Sequence, residues 1–315
     1  MKWNAFALRM GVLIALAACD PRGLGRPNPN FLVIGHRGAP NVAAENTIPS
    51  FKVATAVGAN AIETDVCITS DGIFVIWHDR DPDSIEAVAR QSGAEGLAYI
   101  PLVPPIGSDM RRPVDQLTLA ELRQNYGYGS IDGTRAEIYQ IPTVAEALDF
   151  ARDESELKAV YIDTKLTETQ TAEAKALFDM IHSAKAADTA LAHVRFYMLS
   201  VHRSIVDTYE AERMALGIDD MRVVLDTEGL GALQGTLEAH LRDISAGLVP
   251  SVAWSDFKRD VAHNVDAREA GQIDSVTVWT FDRDMQLAEL LYYSVDGIMT
   301  NQPESLYSIW QDTLE

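Results

Sequence analysis

Glu63 and Asp65 are two acidic residues whose spacing suggests that they bind a cation together. They lie within residues 61–66, a segment whose pattern predicts a β-strand. Residues two apart on a strand point to the same face, with their Cα atoms about 6.6 Å apart. Two carboxylates on one face of a strand favour the binding of a cation.

Two histidines are predicted at the ends of strands. An apolar run at residues 31–34 precedes His36 and Arg37, and a second run at residues 73–77 precedes His78. An imidazole can transfer a proton near neutral pH, and a guanidinium can bind phosphate through two parallel hydrogen bonds. A base and a fork-shaped cation thus emerge together at the end of the first of these strands.

Six ordered motifs resemble those of the glycerophosphodiester phosphodiesterase family. They are HRGAPNVAAENT at 36–47, IETDVCITSDG at 62–72, the His78-Asp79 pair, YIDTK at 161–165, VWTFD at 278–282 and DGIMTNQP at 296–303. The resemblance spans most of the chain from Phe31 onward. It implies a metal-dependent enzyme that hydrolyses small glycerophosphodiesters to sn-glycerol 3-phosphate and an alcohol.

The resemblance implies metal ligands and acid-base groups. Glu63 and Asp65, with Asp163 from a later strand, form an all-oxygen set suited to one Ca²⁺ or Mg²⁺ ion rather than to zinc. The family usually has Glu at the position of Asp163. His36 and His78 are carried over as the general acid and base, without an assignment of which is which.

Four further residues are implied to contact the substrate. Arg37 and Lys165 would neutralise the phosphate, or would form salt bridges to nearby acids. Glu45 would contact the metal or a glycerol hydroxyl, or would be a surface carboxylate. Trp279 would form an aromatic wall for the glycerol moiety, or would be a core residue. The other histidines are interpreted as structural or exposed: His182, His193, His202, His240 and His263.

The order of elements predicts an α/β protein with a (β/α)₈ TIM barrel. Strands are expected near residues 32, 62 and 159, and at 195–200, 222–226, 251–254, 275–280 and 297–300. The active site of such a barrel lies at the C-terminal ends of its strands, where the motifs fall. A doubly wound open sheet is the alternative, but the sequence has no Gly-rich phosphate loop.

An insertion is expected after the second strand region. Proline and glycine punctuate residues 80 to about 116, which form a segment longer than an ordinary connection. The resemblance implies that this insertion caps the substrate site. A loop without a function is the alternative.

The first residues have the pattern of a bacterial lipoprotein leader. Residues 1–18 contain basic residues and an apolar run, and the Leu-Ala-Ala-Cys sequence at 16–19 resembles a lipoprotein cleavage box. Cys19 would then carry the lipid, residues 19–30 would form a tether and residues 31–315 the catalytic barrel. A plain signal peptide is the alternative. We expect an exported protein on the periplasmic face of the inner membrane, with the outer membrane or cell surface left open.

The charge of the chain bears on its partners. The formal net charge is −20, which argues against nucleic acid as a partner. Two alternative functions are considered, a lipoprotein that binds phosphodiesters without cleaving them and an enzyme like phospholipase D or sphingomyelinase. A pure binding protein would not need both histidines. The GIMTNQP sequence at 297–303 resembles the glycerophosphodiesterases more closely than the other enzymes.

Overall fold

The computed structural model describes residues 28–226, 238–242 and 250–314, and for 238–242 and 250–253 it describes the backbone only. Cys19, the predicted leader at 1–18 and most of the predicted tether at 19–30 lie outside the described residues. None of the helices in the described part of the chain is both long and apolar enough to cross a bilayer.

The strands are β1 (Leu32–Gly35), β2 (Ala61–Ile68), β3 (Phe74–Ile76), β4 (Ile100–Leu102), β5 (Gly127–Gly129), β6 (Ala159–Thr164), β7 (Arg195–Ser200), β8 (Met221–Leu225), β9 (Glu238–Arg242), β10 (Ser275–Trp279) and β11 (Gly297–Thr300). The α-helices are α1 (Ile48–Ala56), α2 (Ile85–Gln91), α3 (Leu119–Asn125), α4 (Val144–Asp153), α5 (Thr171–Ala187), α6 (Arg203–Leu216), α7 (Pro250–Glu269), α8 (Asp284–Leu291) and α9 (Pro303–Leu314).

Eight parallel strands form the barrel. Neighbouring strands follow the order β8-β7-β6-β2-β1-β11-β10-β9, and β8 and β9, at the two ends of this order, contact each other. Strands that are adjacent in the sheet are therefore successive barrel strands in the sequence. This arrangement confirms the predicted (β/α)₈ barrel. It places the ends of β1, β2, β6, β10 and β11 at one rim.

The predicted strand at residues 251–254 is wrong. These residues lie in α7, and the barrel strand expected there is β9, at Glu238–Arg242. The short Ser-Val-Ala-Trp run at 251–254 cannot by itself distinguish a strand from a helix, and Pro250 is favourable in the first turn of a helix. Phe257, Val261 and Val265 are buried at helical spacing, so the longer pattern is that of a helix.

Side-chain alternation along β2 and β6 aims acidic residues into the barrel mouth. On β6, Val160 and Ile162 pack in the layer between the sheet and the helices, whereas Tyr161 lies inside the barrel. The Tyr161 ring stacks on that of Tyr197, with centroids 4.2 Å apart. Asp163 shares the inward parity of Tyr161 and pairs in register with Asp65 of β2. Packed aromatic rings thus form a floor beneath the acidic residues.

The insertion forms a small unit over one side of the barrel, which we call the cap (residues 80–129). β3 pairs antiparallel with β2 and leads into the cap, where β4 and β5 form a two-stranded antiparallel sheet. Because β5 belongs to this sheet, the cap continues past residue 116. Trp77 packs against Tyr126 and Tyr128, with ring centroids 6.1 and 5.0 Å away, so the cap has an aromatic core next to His78.

Candidate active site

A tight turn at the end of β1 positions His36 and Arg37. The His36 backbone N–H donates to the Thr300 carbonyl at 2.9 Å, and Arg37 has a left-handed backbone with φ of 53°. A Cβ on Gly35 would lie 2.5 Å from the Gly38 carbonyl oxygen, so glycine permits this close approach. The turn directs both side chains over the mouth of the barrel.

Glu63, Asp65 and Asp163 form a carboxylate triad at this mouth. Each offers one oxygen, and these oxygens lie within 4.8 Å of one another. Asn46 fixes Asp65, since its Nδ2 donates to Asp65 Oδ2 at 2.7 Å and its Oδ1 accepts from the Asp65 backbone N–H at 3.1 Å. The Arg37 backbone N–H donates to Glu63 Oε2 at 2.9 Å. The triad is therefore held by the first loop as well as by the strands.

Two cations contact the triad. Lys165 Nζ lies 2.5 Å from Asp163 Oδ2 and 2.9 Å from Asp65 Oδ1, and Arg37 Nε lies 3.1 Å from Asp65 Oδ2. Burial acts to raise the pKa of Asp65, but Lys165 and Arg37, among its neighbours, lower that pKa well below the usual range. Asp65 is therefore held as a carboxylate. Both cations form the predicted salt bridges and also line the cavity where a substrate would bind.

The triad carries more negative charge than its protein neighbours neutralise. Burial, followed by the charge of Asp65, raises the pKa of Glu63 well above its usual range. Burial also raises the pKa of Asp163, although Lys165 opposes this shift. A divalent cation would remove the repulsion among these carboxylates, and three close oxygen donors suit a hard ion. The residues present therefore fit a metal ion, and they do not distinguish Ca²⁺ from Mg²⁺.

His36 is supported by an amide. Its Nδ1 lies 2.7 Å from Asn301 Oδ1, and Asn301 Nδ2 donates to Asp282 Oδ2 at 2.7 Å. Because the Asn301 amide group donates to Asp282, its oxygen accepts from His36 Nδ1–H, which leaves Nε2 unprotonated. Burial, followed by the charge of Arg37, lowers the pKa of His36 to about 4. Its Nε2 lies 4.0 Å from Glu63 Oε2, beside the triad.

His78 is supported by a carboxylate. Its Nδ1 lies 2.7 Å from Asp79 Oδ1, and Arg90 Nε donates to both Asp79 oxygens at 2.9 and 3.2 Å. Burial raises the pKa of Asp79 to about 6 against the opposing charge of Arg90. Burial, followed by the charge of Arg37, lowers the pKa of His78 well below its usual range. On the other side of the ring, Nε2 faces Glu86 Oε1 of the cap at 3.6 Å.

One cavity of about 740 Å³ unites these groups. Eight of the predicted site residues line it: His36, Arg37, Glu63, Asp65, His78, Asp163, Lys165 and Trp279. Glu45 lies beneath the lining, with only 2% of its surface exposed, and it forms ion pairs with Arg37 and Arg90. Glu45 is therefore neither a surface carboxylate nor a wall of the cavity in this structure.

The sequence did not identify some of the residues that lie near the site. His202, interpreted as structural or exposed, is half-buried and lines the cavity directly before α6. Its place two residues after the end of β7 is the same kind of signal that identified His36. Asn301 lies in a quoted motif without an assigned role, and Arg90 carries no local signal, because both act through partners distant in sequence.

The chain was compared with known proteins. Residues 36–305 match the model of the glycerophosphoryl diester phosphodiesterase family. A glycerophosphodiester phosphodiesterase of Caldanaerobacter subterraneus is 26% identical over 281 residues, which cover 88% of this chain and 97% of the relative.

Solved structures show the same fold. A glycerophosphodiester phosphodiesterase of Parabacteroides distasonis has a TM-score of 0.62 at 18% identity, covering 92% of this chain and all of the other. A phosphodiesterase of Oleispira antarctica in complex with the product sn-glycerol 3-phosphate has a TM-score of 0.58 at 20% identity, covering 88% and 95% of the two chains. On its barrel and the match over residues 36–305, the chain belongs to the glycerophosphoryl diester phosphodiesterase family of enzymes.

Proposed function

We propose that this protein hydrolyses glycerophosphodiesters to sn-glycerol 3-phosphate and a free alcohol. The observation that carries the proposal is the placement of two differently supported histidines on one cavity with a carboxylate triad. The two imidazoles can exchange protons with a substrate, and the triad with its cations can receive an anionic phosphoryl group. A protein that only binds phosphodiesters would not require this pair of histidines.

His36 is proposed as the general base and His78 as the general acid. The free Nε2 of His36 faces the triad, where the attacking oxygen would be bound. The neutral amide of Asn301 stabilises the imidazolium of His36 less than a carboxylate would, and burial and Arg37 keep the ring neutral. His78 must be protonated to act as the acid, and although burial and Arg37 lower its pKa, the Asp79 carboxylate at Nδ1 favours the protonated form. Its Nε2 faces the cap. The cap side of the cavity would then hold the leaving alcohol.

The reaction follows from these positions. His36 Nε2 removes a proton from the attacking oxygen, which is either water or the 2-hydroxyl of the substrate, as that oxygen bonds to phosphorus. The bond from phosphorus to the alcohol oxygen breaks, and His78 Nε2 donates a proton to that oxygen. Attack by the 2-hydroxyl would give a cyclic diester, which water then opens. Arg37 and Lys165 would neutralise the negative charge on the phosphoryl oxygens.

Three further assignments belong to this proposal. Glu63, Asp65 and Asp163 would hold one Ca²⁺ or Mg²⁺ ion, which when bound supplies positive charge to the phosphoryl oxygens. Trp279 would form an apolar wall against the glycerol carbons. Glu45 would act beneath the site by holding Arg37, rather than by touching the substrate.

The test is an assay of the protein from residue 20 onward. Glycerophosphocholine and glycerophosphoethanolamine are incubated with Ca²⁺, with Mg²⁺ or with a chelator, and the release of glycerol 3-phosphate is measured. We expect release that stops on chelation and returns when one of the two ions is added. Full activity after exhaustive chelation would refute the metal assignment, and absence of release under all conditions would refute the proposed activity.

We also propose that the protein is exported and anchored to the membrane by a lipid on Cys19, with residues 19–30 as its tether. The support for this is the sequence of the leader and cleavage box alone. Labelled fatty acid should enter the wild-type protein but not a Cys19→Ser variant, while the catalytic activity of the two proteins stays equal. Wild-type protein that incorporates no label would refute the anchor.

A further inference from the structure

The cap contributes a buried arginine to the network behind the catalytic groups. Arg90, on the cap helix α2, has only 3% of its surface exposed. Its guanidinium contacts Asp79 and Glu45, from two separate loops of the barrel rim, and Glu95 of the cap. We propose that Arg90 is a positioning residue that holds His78 and Arg37 in their working orientations through Asp79 and Glu45. This inference rests on the function proposed above.

The first arm of the network leads to His78. Arg90 Nε donates to Asp79 Oδ1 at 2.9 Å and to Oδ2 at 3.2 Å, while Asp79 Oδ1 also lies 2.7 Å from His78 Nδ1. The Trp77 indole N–H donates to the Asp79 backbone carbonyl at 3.1 Å. The backbone of Asp79 is thus fixed by Trp77 and its carboxylate by Arg90. Without Arg90 the carboxylate would lose the contact that fixes its plane relative to the imidazole.

The second arm leads to Arg37. Arg90 Nη2 forms an ion pair with Glu45 Oε1, and Arg37 Nη1 forms an ion pair with Glu45 Oε2 at 2.9 Å. Glu45 therefore joins the two arginines through its two separate oxygens. Arg37 in turn contacts Asp65 of the triad at 3.1 Å. Glu95 also contacts Arg90 at 2.5 Å and lies 3.7 Å from Arg37, but its side chain is 38% exposed, whereas Glu45 is buried. Buried charged hydrogen bonds such as those of Glu45 restrict orientation strongly, because breaking one leaves a buried charge poorly paired.

Together, the two arms connect two groups with different roles in the proposed reaction. A chain of contacts runs from His78 through Asp79, Arg90 and Glu45 to Arg37. It links the proposed proton donor to a group that would neutralise the phosphoryl oxygens. Since Arg90 belongs to the cap, the cap takes part in catalysis by orienting residues of the barrel as well as by covering the cavity.

The experiment compares Arg90→Met with a matched cap variant, Arg111→Met. Arg111 is also a mostly buried cap arginine, and it contacts Asp83 at 2.6 Å and the backbone carbonyls of Pro104 and Pro82 at 2.8 and 2.9 Å. None of these partners belongs to the network. We expect Arg90→Met to lower kcat on glycerophosphocholine by about 10- to 100-fold, as loss of an orienting contact does, with a smaller change in KM. Arg111→Met should lower Tm but leave kcat near the wild-type value.

Arg90→Lys keeps the buried charge, and it carries the test if Arg90→Met does not fold. An ammonium cannot reproduce a flat guanidinium that contacts Asp79, Glu45 and Glu95 at once, so we expect kcat between those of wild type and Arg90→Met. In an Asp79→Asn background, substitution of Arg90 should cost less than in wild type, because the Asp79 arm is already broken. A wild-type kcat in Arg90→Lys would overturn the proposal. So would a double variant at Asp79 and Arg90 whose fold loss in kcat equals the product of the losses of the two single variants.

A readout without substrate separates this inference from the proposed function. In protein labelled with ¹⁵N-histidine, the Nδ1–H resonance of His78 should be present in wild type and in Arg111→Met, and should shift or broaden in Arg90→Met. An unchanged resonance in Arg90→Met, or in Arg90→Lys if only that variant folds, would overturn the positioning role. Wild-type protein that hydrolyses no glycerophosphodiester would refute the proposed function, while the resonance still decides the role of Arg90.

Discussion

The two sides of the cavity support the same kind of side chain in different ways. On the barrel side, His36 rests on the amide of Asn301, which is 265 residues away in the sequence but directly follows β11, the strand that pairs with β1. On the cap side, His78 rests on the carboxylate of its neighbour Asp79, which Arg90 holds from the insertion. The supports differ in charge and in the part of the fold that provides them.

This difference bears on the chemistry of each histidine. An amide oxygen fixes the imidazole ring and its tautomer and favours the charged form less than a carboxylate does, which suits a base that begins neutral. A carboxylate also stabilises the imidazolium, which suits a group that donates a proton. Closure of the barrel is required to support His36, whereas docking of the cap is required to support His78. The following predictions test this asymmetry.

The largest expected effect comes from removing either imidazole. His36→Ala and His78→Ala should each lower kcat on glycerophosphocholine by about 10²- to 10⁴-fold, the usual contribution of one positioned acid or base. A p-nitrophenyl ester of glycerol phosphate needs little protonation of its leaving group. His78→Ala should therefore lose much less on this substrate, whereas His36→Ala should lose about the same on both.

Folding of both variants is checked by circular dichroism, with His182→Ala as a control in a helix distant from these residues in sequence. Equal losses on the two substrates for both variants would remove the distinction between base and acid. The opposite pattern, with His36→Ala rescued by the better leaving group, would exchange the two roles. Retention of more than half of the activity by either variant would refute its role as an acid or base.

A smaller effect is expected when the supports are changed and the histidines are kept. Asp79→Asn and Asn301→Ala should each lower kcat by about 10- to 100-fold, since both leave an imidazole less well oriented. Asp79→Asn also removes the charge that stabilises a protonated His78. Its loss should therefore shrink on the p-nitrophenyl ester, whereas the loss of Asn301→Ala should not. The measurement is, for each variant, the ratio of kcat on the p-nitrophenyl ester to kcat on glycerophosphocholine. Equal ratios in Asp79→Asn and Asn301→Ala would contradict the asymmetry.

The sequence predicted the barrel side of the site better than the cap side. Strand alternation was sufficient to place Glu63 and Asp65 on one face, whereas Asp163 was added by the family resemblance; the structure pairs it in register with Asp65. His36 was placed at a strand end by the apolar run that precedes it. Its partner Asn301 was within a recognised motif, but their contact depends on the pairing of β1 with β11, which no local pattern reports.

The cap side could not be predicted to the same depth. Helix α2 has only seven residues, and the partner of Arg90 on the barrel, Glu45, is 45 residues away. A buried arginine and a solvated one look the same in a single sequence, because burial depends on how the cap docks. The strand predicted at 251–254 failed for a related reason, since a short apolar run fits a strand and the start of a helix equally well.

The smallest expected effect comes from giving His36 the kind of support that His78 has. In the double variant Asp282→Asn and Asn301→Asp, a carboxylate would replace the amide at His36 Nδ1, while an amide at position 282 avoids two facing carboxylates. His36 acts as a base only when neutral, so with its pKa lowered to about 4, kcat/KM of wild type should fall as the pH drops through about 4. A nearby carboxylate favours the protonated imidazole and raises its pKa, typically by about one unit or more. The fall in kcat/KM should therefore move to a higher pH by about one unit, with much less change near pH 8. Asp282→Asn alone keeps the amide at His36 and should not produce this shift. A pH profile of kcat/KM that stays in place in the double variant would show that the charge of its partner does not set the behaviour of His36.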